Sequence, residues 1–269
     1  MVMLLVAGSQ LATAFVAGLF AVAFKETHMD TLLLVAGLLA ASLSAVLVLN
    51  WASALRREPV RLLVVPKPVP LVTLSLAFVA TLGADVVLGQ VGNWVRWLIP
   101  PGPFYHAFES LLERESLPLV LASVVIVGPV SEELICRGVL LRGFLENYRV
   151  WTAILLSSLL FAVIHLNTWQ GVSGFFIGCL FAWFVARTGS LLPAIMGHVV
   201  SNGLGVVAVR LHAKIPGITT EGFQPWWLTA LGALVTVGGV VAFHRATRAT
   251  RNASAAELVA SADRTQEPL

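Results

Sequence analysis

The sequence predicts an all-α protein that crosses a membrane several times, and three observations carry that expectation. Hydrophobic residues fill 58% of the 269 positions and charged residues only 12%, about half the charged share of an ordinary soluble domain. Apolar runs long enough to cross a bilayer as a helix, about 20 residues, recur along almost the whole chain. Between them, no stretch is left that would bury an independent soluble core.

Eight helical spans are predicted, at 2–24, 31–54, 69–90, 117–147, 151–166, 171–187, 190–211 and 226–244. The first lacks the basic flank of a signal peptide and runs longer than a typical signal-peptide apolar core, so it reads as a retained span. Residues 56–68, rich in Arg, Lys and Pro, form a loop. Residues 91–116 mix Trp94, Trp97, Phe104, Tyr105 and Phe108 with charges and read as an interfacial segment. The membrane domain covers 1–244, and the polar residues 245–269 read as a mobile cytoplasmic tail with at most a short helix.

The net charge of +3 comes from basic residues between spans and in the tail. With the N-terminus inside, Arg56, Arg57, Arg61, Lys67, Arg142, Arg149 and Arg187 collect on the inner side, which predicts both termini in the cytoplasm; the expected membrane is a bacterial cytoplasmic membrane. No basic patch with interleaved aromatics suggests a nucleic-acid partner. Cys136 and Cys179, far apart in sequence and inside apolar segments, read as buried small hydrophobes rather than a disulfide.

Ionisable groups inside spans are the informative positions, because each costs about 2.5–3.5 kcal/mol at the bilayer centre. Three occur in the fourth span, within Gly128-Pro129-Val130-Ser131-Glu132-Glu133-Leu134-Ile135-Cys136-Arg137. At about 100° per residue, Glu133 and Arg137 are neighbours on one helix face, whereas Glu132 points away. Glu133 is therefore the expected ion-pair partner of Arg137, with a supporting role. Glu132, without a local partner, suits a general base that takes a proton from water.

The fifth span supplies Phe161 and His165 one turn apart, and the seventh supplies His198 and Asn202 one turn apart. His28, His106, His212 and His244 fall in loops or at span ends and read as solvated or interfacial residues. Asp85, near the end of the third span, is assigned no role. One acid, two imidazoles and one carboxamide meet only if spans four, five and seven pack together. Two chemistries use that set. In one, Glu132 and His165 activate a water while His198 and Asn202 donate hydrogen bonds to the developing oxyanion, with no metal required. In the other, Glu132, His165 and His198 ligate a zinc whose bound water attacks. No H-E-x-x-H pattern favours the metal.

The ordered set Glu132-Glu133-x-x-x-Arg137, Phe161-x-x-x-His165 and His198-x-x-x-Asn202 resembles the CPBP superfamily of intramembrane proteases. That superfamily includes type II CAAX prenyl endopeptidases and bacterial lysostaphin-resistance-like and bacteriocin-processing or immunity proteins. The stretch Ala186-Arg187-Thr188-Gly189-Ser190-Leu191-Leu192-Pro193 is also similar to that family's approach to its last motif. The resemblance implies an eight-helix fold, a catalytic core at about 117–211 and a cavity inside the bundle open to the cytoplasmic side. It assigns water activation to Glu132 and His165, the oxyanion hole to His198 and Asn202, and support to Glu133 and Arg137.

The expected substrate is a peptide or membrane-associated protein, met within the lipid bilayer. Two other readings compete. A peptide-binding or bacteriocin-immunity protein would use the same pocket without hydrolysis. A transporter would use the Glu and His residues as a proton relay, but the chain lacks the repeat symmetry and paired broken helices of that class.

Overall fold

The computed structural model describes residues 29–60, 63, 67–165, 167–211, 215–218, 220 and 222–264. Long apolar sequences produce the helices here, and Pro or Gly marks several of their ends. Helix α1 is Met29–Arg56, and α2, Leu71–Leu98, begins after Pro70. The amphipathic α3, Pro103–Arg114, has proline in its first turn. A continuous helix α4 covers Leu117–Asn147, followed by α5, Val150–Val163. Helix α6, Thr168–Thr188, is N-capped by the Asn167 side chain, which accepts from the Gln170 amide. Helix α7 is Leu192–Arg210, and α8 is Trp226–Arg264.

The protein is an all-α polytopic membrane protein. Among the described residues, six helices are long and apolar enough to cross a membrane, in α1, α2, α4, α6, α7 and the first part of α8. The fifth predicted span becomes the 14-residue α5, which at 1.5 Å per residue extends about 21 Å and falls short of a bilayer core of about 30 Å. The first predicted span, 2–24, lies outside the described residues, as do His28 and His212. Of the seven expected spans that fall on described residues, six are crossing helices and one is the shorter α5. The interfacial segment resolves into the end of α2 and α3, and the last helix continues past the predicted boundary at 244.

Helix α2 is central and packs on α6, α7 and α8, while α4 packs on α1, α5 and α7. Phe181 and Phe184 of α6, Ala194 of α7 and Phe243 of α8 fill the first interface around Ala77, Ala80 and Ala84. Val48, Leu49 and Ala52 of α1 meet Ile135, Cys136 and Val139 of α4 and Phe161 of α5 in the second. Cys136 is buried, Cys179 is partly buried and both are free thiols. Beyond α6, Gly189 takes the left-handed conformation, φ 66°, that ends the helix. Pro193 then sits in the first turn of α7.

In a bilayer, apolar side chains gain little from leaving lipid, so helices associate through close packing at small residues. The α2–α8 contact follows that rule, with Ala80 and Gly83 against Gly232, Thr236 and Gly239. A Cβ on Gly83 would lie 2.6 Å from the Thr236 backbone nitrogen and 2.7 Å from the Gly232 carbonyl oxygen. Neither atom can rotate aside. Gly83→Leu is expected to destabilise the detergent-solubilised protein by about 1–3 kcal/mol or more, read as a lower melting temperature. Gly37→Ala, where a Cβ meets nothing within 4 Å, is the control expected to leave it unchanged or raised.

Candidate active site

Proline at position 129 shapes the helix that carries the two acids. Its ring cannot donate a backbone hydrogen bond and crowds the carbonyl one turn earlier. The preceding stretch Leu121–Val127 is widened to π-helical geometry, with the Gly128 amide donating back to the Ser123 carbonyl. Gly128 fits because a Cβ there would stand 2.9 Å from that same oxygen. A six-residue α-helical segment, Gly128–Glu133, follows, and a second π-helical stretch, Leu134–Leu141, begins directly after Glu133. Such widened turns recur at functional sites.

This arrangement leaves a gap in the backbone ladder. The Gly128 amide, which would serve the Val124 carbonyl in an α-helix, goes to Ser123, and the residue five ahead is the proline. Asn202 of α7 fills the gap, its Nδ2 donating to the Val124 oxygen at 2.8 Å. A comparable vacancy positions His165. At the end of α5 the His165 amide turns to the Ala162 carbonyl at 3.3 Å, and the imidazole Nδ1 takes the Phe161 oxygen at 2.8 Å. Because a carbonyl only accepts, a proton sits on Nδ1, which leaves Nε2 as the ring nitrogen able to accept.

Glu133 and Arg137 pair as their spacing predicted, with Nη1 to Oε1 at 2.9 Å and both side chains fully buried. Arg137 also donates from Nη2 to the Gly178 carbonyl of α6 at 2.9 Å, and its guanidinium lies 4.5 Å from the Phe161 ring centre. Gly178 allows this approach, since a Cβ there would stand 3.1 Å from Nη2 and 3.2 Å from Phe161. The same Glu133 oxygen accepts from His198 Nδ1 at 2.9 Å. Glu133 is thus more than the partner of Arg137: it also ties α4 to α7 and fixes the His198 tautomer. Spacing within one helix carries no sign of that second bond.

Glu132 is less isolated than the sequence suggested. His198 Nε2 lies 3.6 Å from its Oε2, and its side chain is 31% exposed against 0% for Glu133. The structure therefore separates the adjacent acids into a sealed one and an accessible one. Phe161 sits among the polar groups, 4.9 Å from the His165 ring and 5.4 Å from the His198 ring, both edge-on. Phe181 covers His198 from α6 at 5.7 Å. Gly197 makes room for that ring, since a Cβ would meet it at 2.6 Å. Asp85 of α2 accepts from Ser201 of α7 at 2.8 and 3.0 Å.

The zinc alternative requires Glu132, His165 and His198 to converge on one point. Among the described residues, no three His, Cys, Asp or Glu side chains stand in an arrangement that would hold a metal ion. A cavity of about 270 Å³ is lined by residues of α2, α6 and α8 such as Leu88, Phe176 and Val237.

Residues 114–204 match the family model described as type II CAAX prenyl endopeptidase Rce1-like. The resemblance drawn from the motifs is borne out over this segment, which holds Glu132, Glu133, Arg137, His165, His198 and Asn202. The chain is 29% identical over 93 residues to "Putative membrane peptidase YdiL" of Bacillus subtilis (strain 168), covering 35% of this chain and 38% of that protein. It is 29% identical over 118 residues to an "Uncharacterized 24.3 kDa protein" of Escherichia coli, covering 40% of this chain and 52% of that protein. The chain thus spans about half or less of the curated relatives it matches. No solved structure matches.

Removing Arg137 strands a fully buried carboxylate, a loss of about 3–5 kcal/mol. Arg137→Met is therefore expected to reduce folded protein in membranes severely, and Glu133→Gln in the same chain is expected to recover most of it. Quantitative blotting of the detergent-soluble, monodisperse fraction checks both outcomes.

Proposed function

We propose that this chain is an intramembrane endopeptidase that hydrolyses a peptide bond of a peptide or membrane-associated protein with a water activated by Glu132 and His165. The observation that carries the reading is the division of labour between neighbouring carboxylates. Glu133 is sealed between Arg137 and His198, while Glu132 stands beside them with nearly a third of its side chain accessible.

In this scheme a water held by Glu132 loses a proton to the carboxylate as its oxygen attacks the scissile carbonyl. His165, with Nδ1 committed to the Phe161 oxygen, offers Nε2 as a second acceptor that orients the same water. Negative charge then develops on the carbonyl oxygen. His198, held at Nδ1 by Glu133, donates to it from Nε2. Asn202 uses one amide hydrogen on Val124, which holds the carboxamide in place and leaves the other hydrogen for the oxyanion. Collapse of the tetrahedral intermediate passes the proton on Glu132 to the departing amine. Atoms balance with water as the only co-reactant. The placement of both termini in the bacterial cytoplasm, and of the cavity mouth on that side, belongs to the same proposal.

The test compares new protein N-termini in the membrane fraction of cells carrying wild type, Glu132→Gln and Glu133→Ala, identified by terminal labelling and mass spectrometry. Glu132→Gln is expected to abolish the wild-type cleavages, at least about 10²-fold, at normal protein level. Glu133→Ala is expected to lower the protein level itself. Cleavages that persist in Glu132→Gln at wild-type rate would overturn the catalytic assignment and favour a peptide-binding or immunity role.

A further inference from the structure

Hydroxyls inside apolar helices have a simple way to be satisfied, which is to donate to the carbonyl four residues earlier in their own helix. Ser42, Ser44, Thr81, Ser123, Thr188 and Thr236 all do so. Ser201 departs from that habit. Its hydroxyl leaves α7 and donates to both carboxylate oxygens of Asp85 on α2, at 2.8 and 3.0 Å. A serine in this position needs no carboxylate, and an intramembrane carboxylate is costly unless it has a task.

The surroundings of Asp85 narrow the task. Helix α7 brings Ser201 and, within electrostatic reach, the His198 imidazole. Around the neighbouring residues of α2, helix α6 presents the apolar Ile177 and Phe176, and α8 presents Thr236, which lies against Gly83. His198 is thus the ionisable group that faces Asp85 among the described residues. Ser201 lies directly before Asn202 and three residues after His198, so a bond to Ser201 fixes the rotation of the turn that carries both. Toward the start of α7, Gly197 is wedged against Phe181 and Thr81. At its far end, Arg210 donates to the Leu112 carbonyl at 2.9 Å.

We propose that Asp85 is a positioning residue of the active site: through Ser201 its carboxylate sets the rotation of α7, and with it the directions in which His198 and Asn202 face the substrate. The inference rests on the hydrolase reading of that site and adds a residue from a helix outside the three motifs.

Full-length protein in lipid nanodiscs provides the test, as wild type, Asp85→Leu, Ser201→Ala, the double variant and Asp85→Asn. Two readouts are taken: the ring ¹⁵N signals of His198 in histidine-labelled protein, and kcat and KM on a quenched peptide spanning a cleavage site that Glu132→Gln loses. Asp85→Leu and Ser201→Ala are each expected to move the His198 signals and to lower kcat on the order of 10²-fold, with KM within about twofold. The double variant is expected to be no worse than either single one, because both remove the same brace. Asp85→Asn, which still accepts from Ser201, is expected to restore most of the rate. His198 signals and kcat that stay at wild-type values in both single variants would overturn the inference, as would losses that multiply in the double variant. If wild type cleaves nothing, the hydrolase reading fails separately, and the His198 signals alone decide whether Asp85 positions α7.

Discussion

One buried carboxylate oxygen, Glu133 Oε1, receives hydrogen bonds from Arg137 on its own helix and from His198 on α7, both at 2.9 Å. The rest of the site depends on this junction. An ion pair inside a membrane protein must recover a large desolvation cost, which it does through geometry and additional bonds. Here Arg137 adds the Gly178 carbonyl and the face of Phe161, so helices α4, α5 and α6 close around it while His198 joins α7. Four helices are thereby registered by one charge pair. The next residue, Glu132, is left partly accessible beside the His198 Nε2.

His165 and Asn202 are held by backbone carbonyls rather than by other side chains. A helix end frees the Phe161 carbonyl for His165, and the missing amide of Pro129, with the shifted Gly128 bond, frees the Val124 carbonyl for Asn202. Unpaired carbonyls in an apolar interior are costly, so each vacancy works as a fixed docking point with a defined direction. This gives the imidazole and the carboxamide one orientation each.

Much of this was legible in the sequence, for identifiable reasons. Helix phase separated Glu132 from Glu133, since the Arg137 pairing is local and follows from spacing alone. The i, i+4 pairs in α5 and α7 likewise announced His165, His198 and Asn202. The His198–Glu133 bond was not legible, because it links residues 65 apart through the packing of α4 on α7. Asp85 went unassigned for the same reason, its partner lying 116 residues away. Pro129 was visible, but its effect on the Val124 carbonyl depends on the π-helical widening before it, and apolar periodicity does not encode that. The length of α5 was overestimated because its apolar composition runs on past the point where the backbone turns at Ile164 and His165.

The central claim is that Glu133 serves two helices at once, and a double-mutant cycle on Glu133 and His198 tests it most directly. Unfolding free energies of wild type, Glu133→Gln, His198→Phe and the combined variant would be measured in the same lipid or detergent. Hydrogen bonds to charged groups contribute about 1.5–3 kcal/mol, so a coupling energy of that order is predicted. A coupling near zero, with the two losses simply adding, would contradict the account.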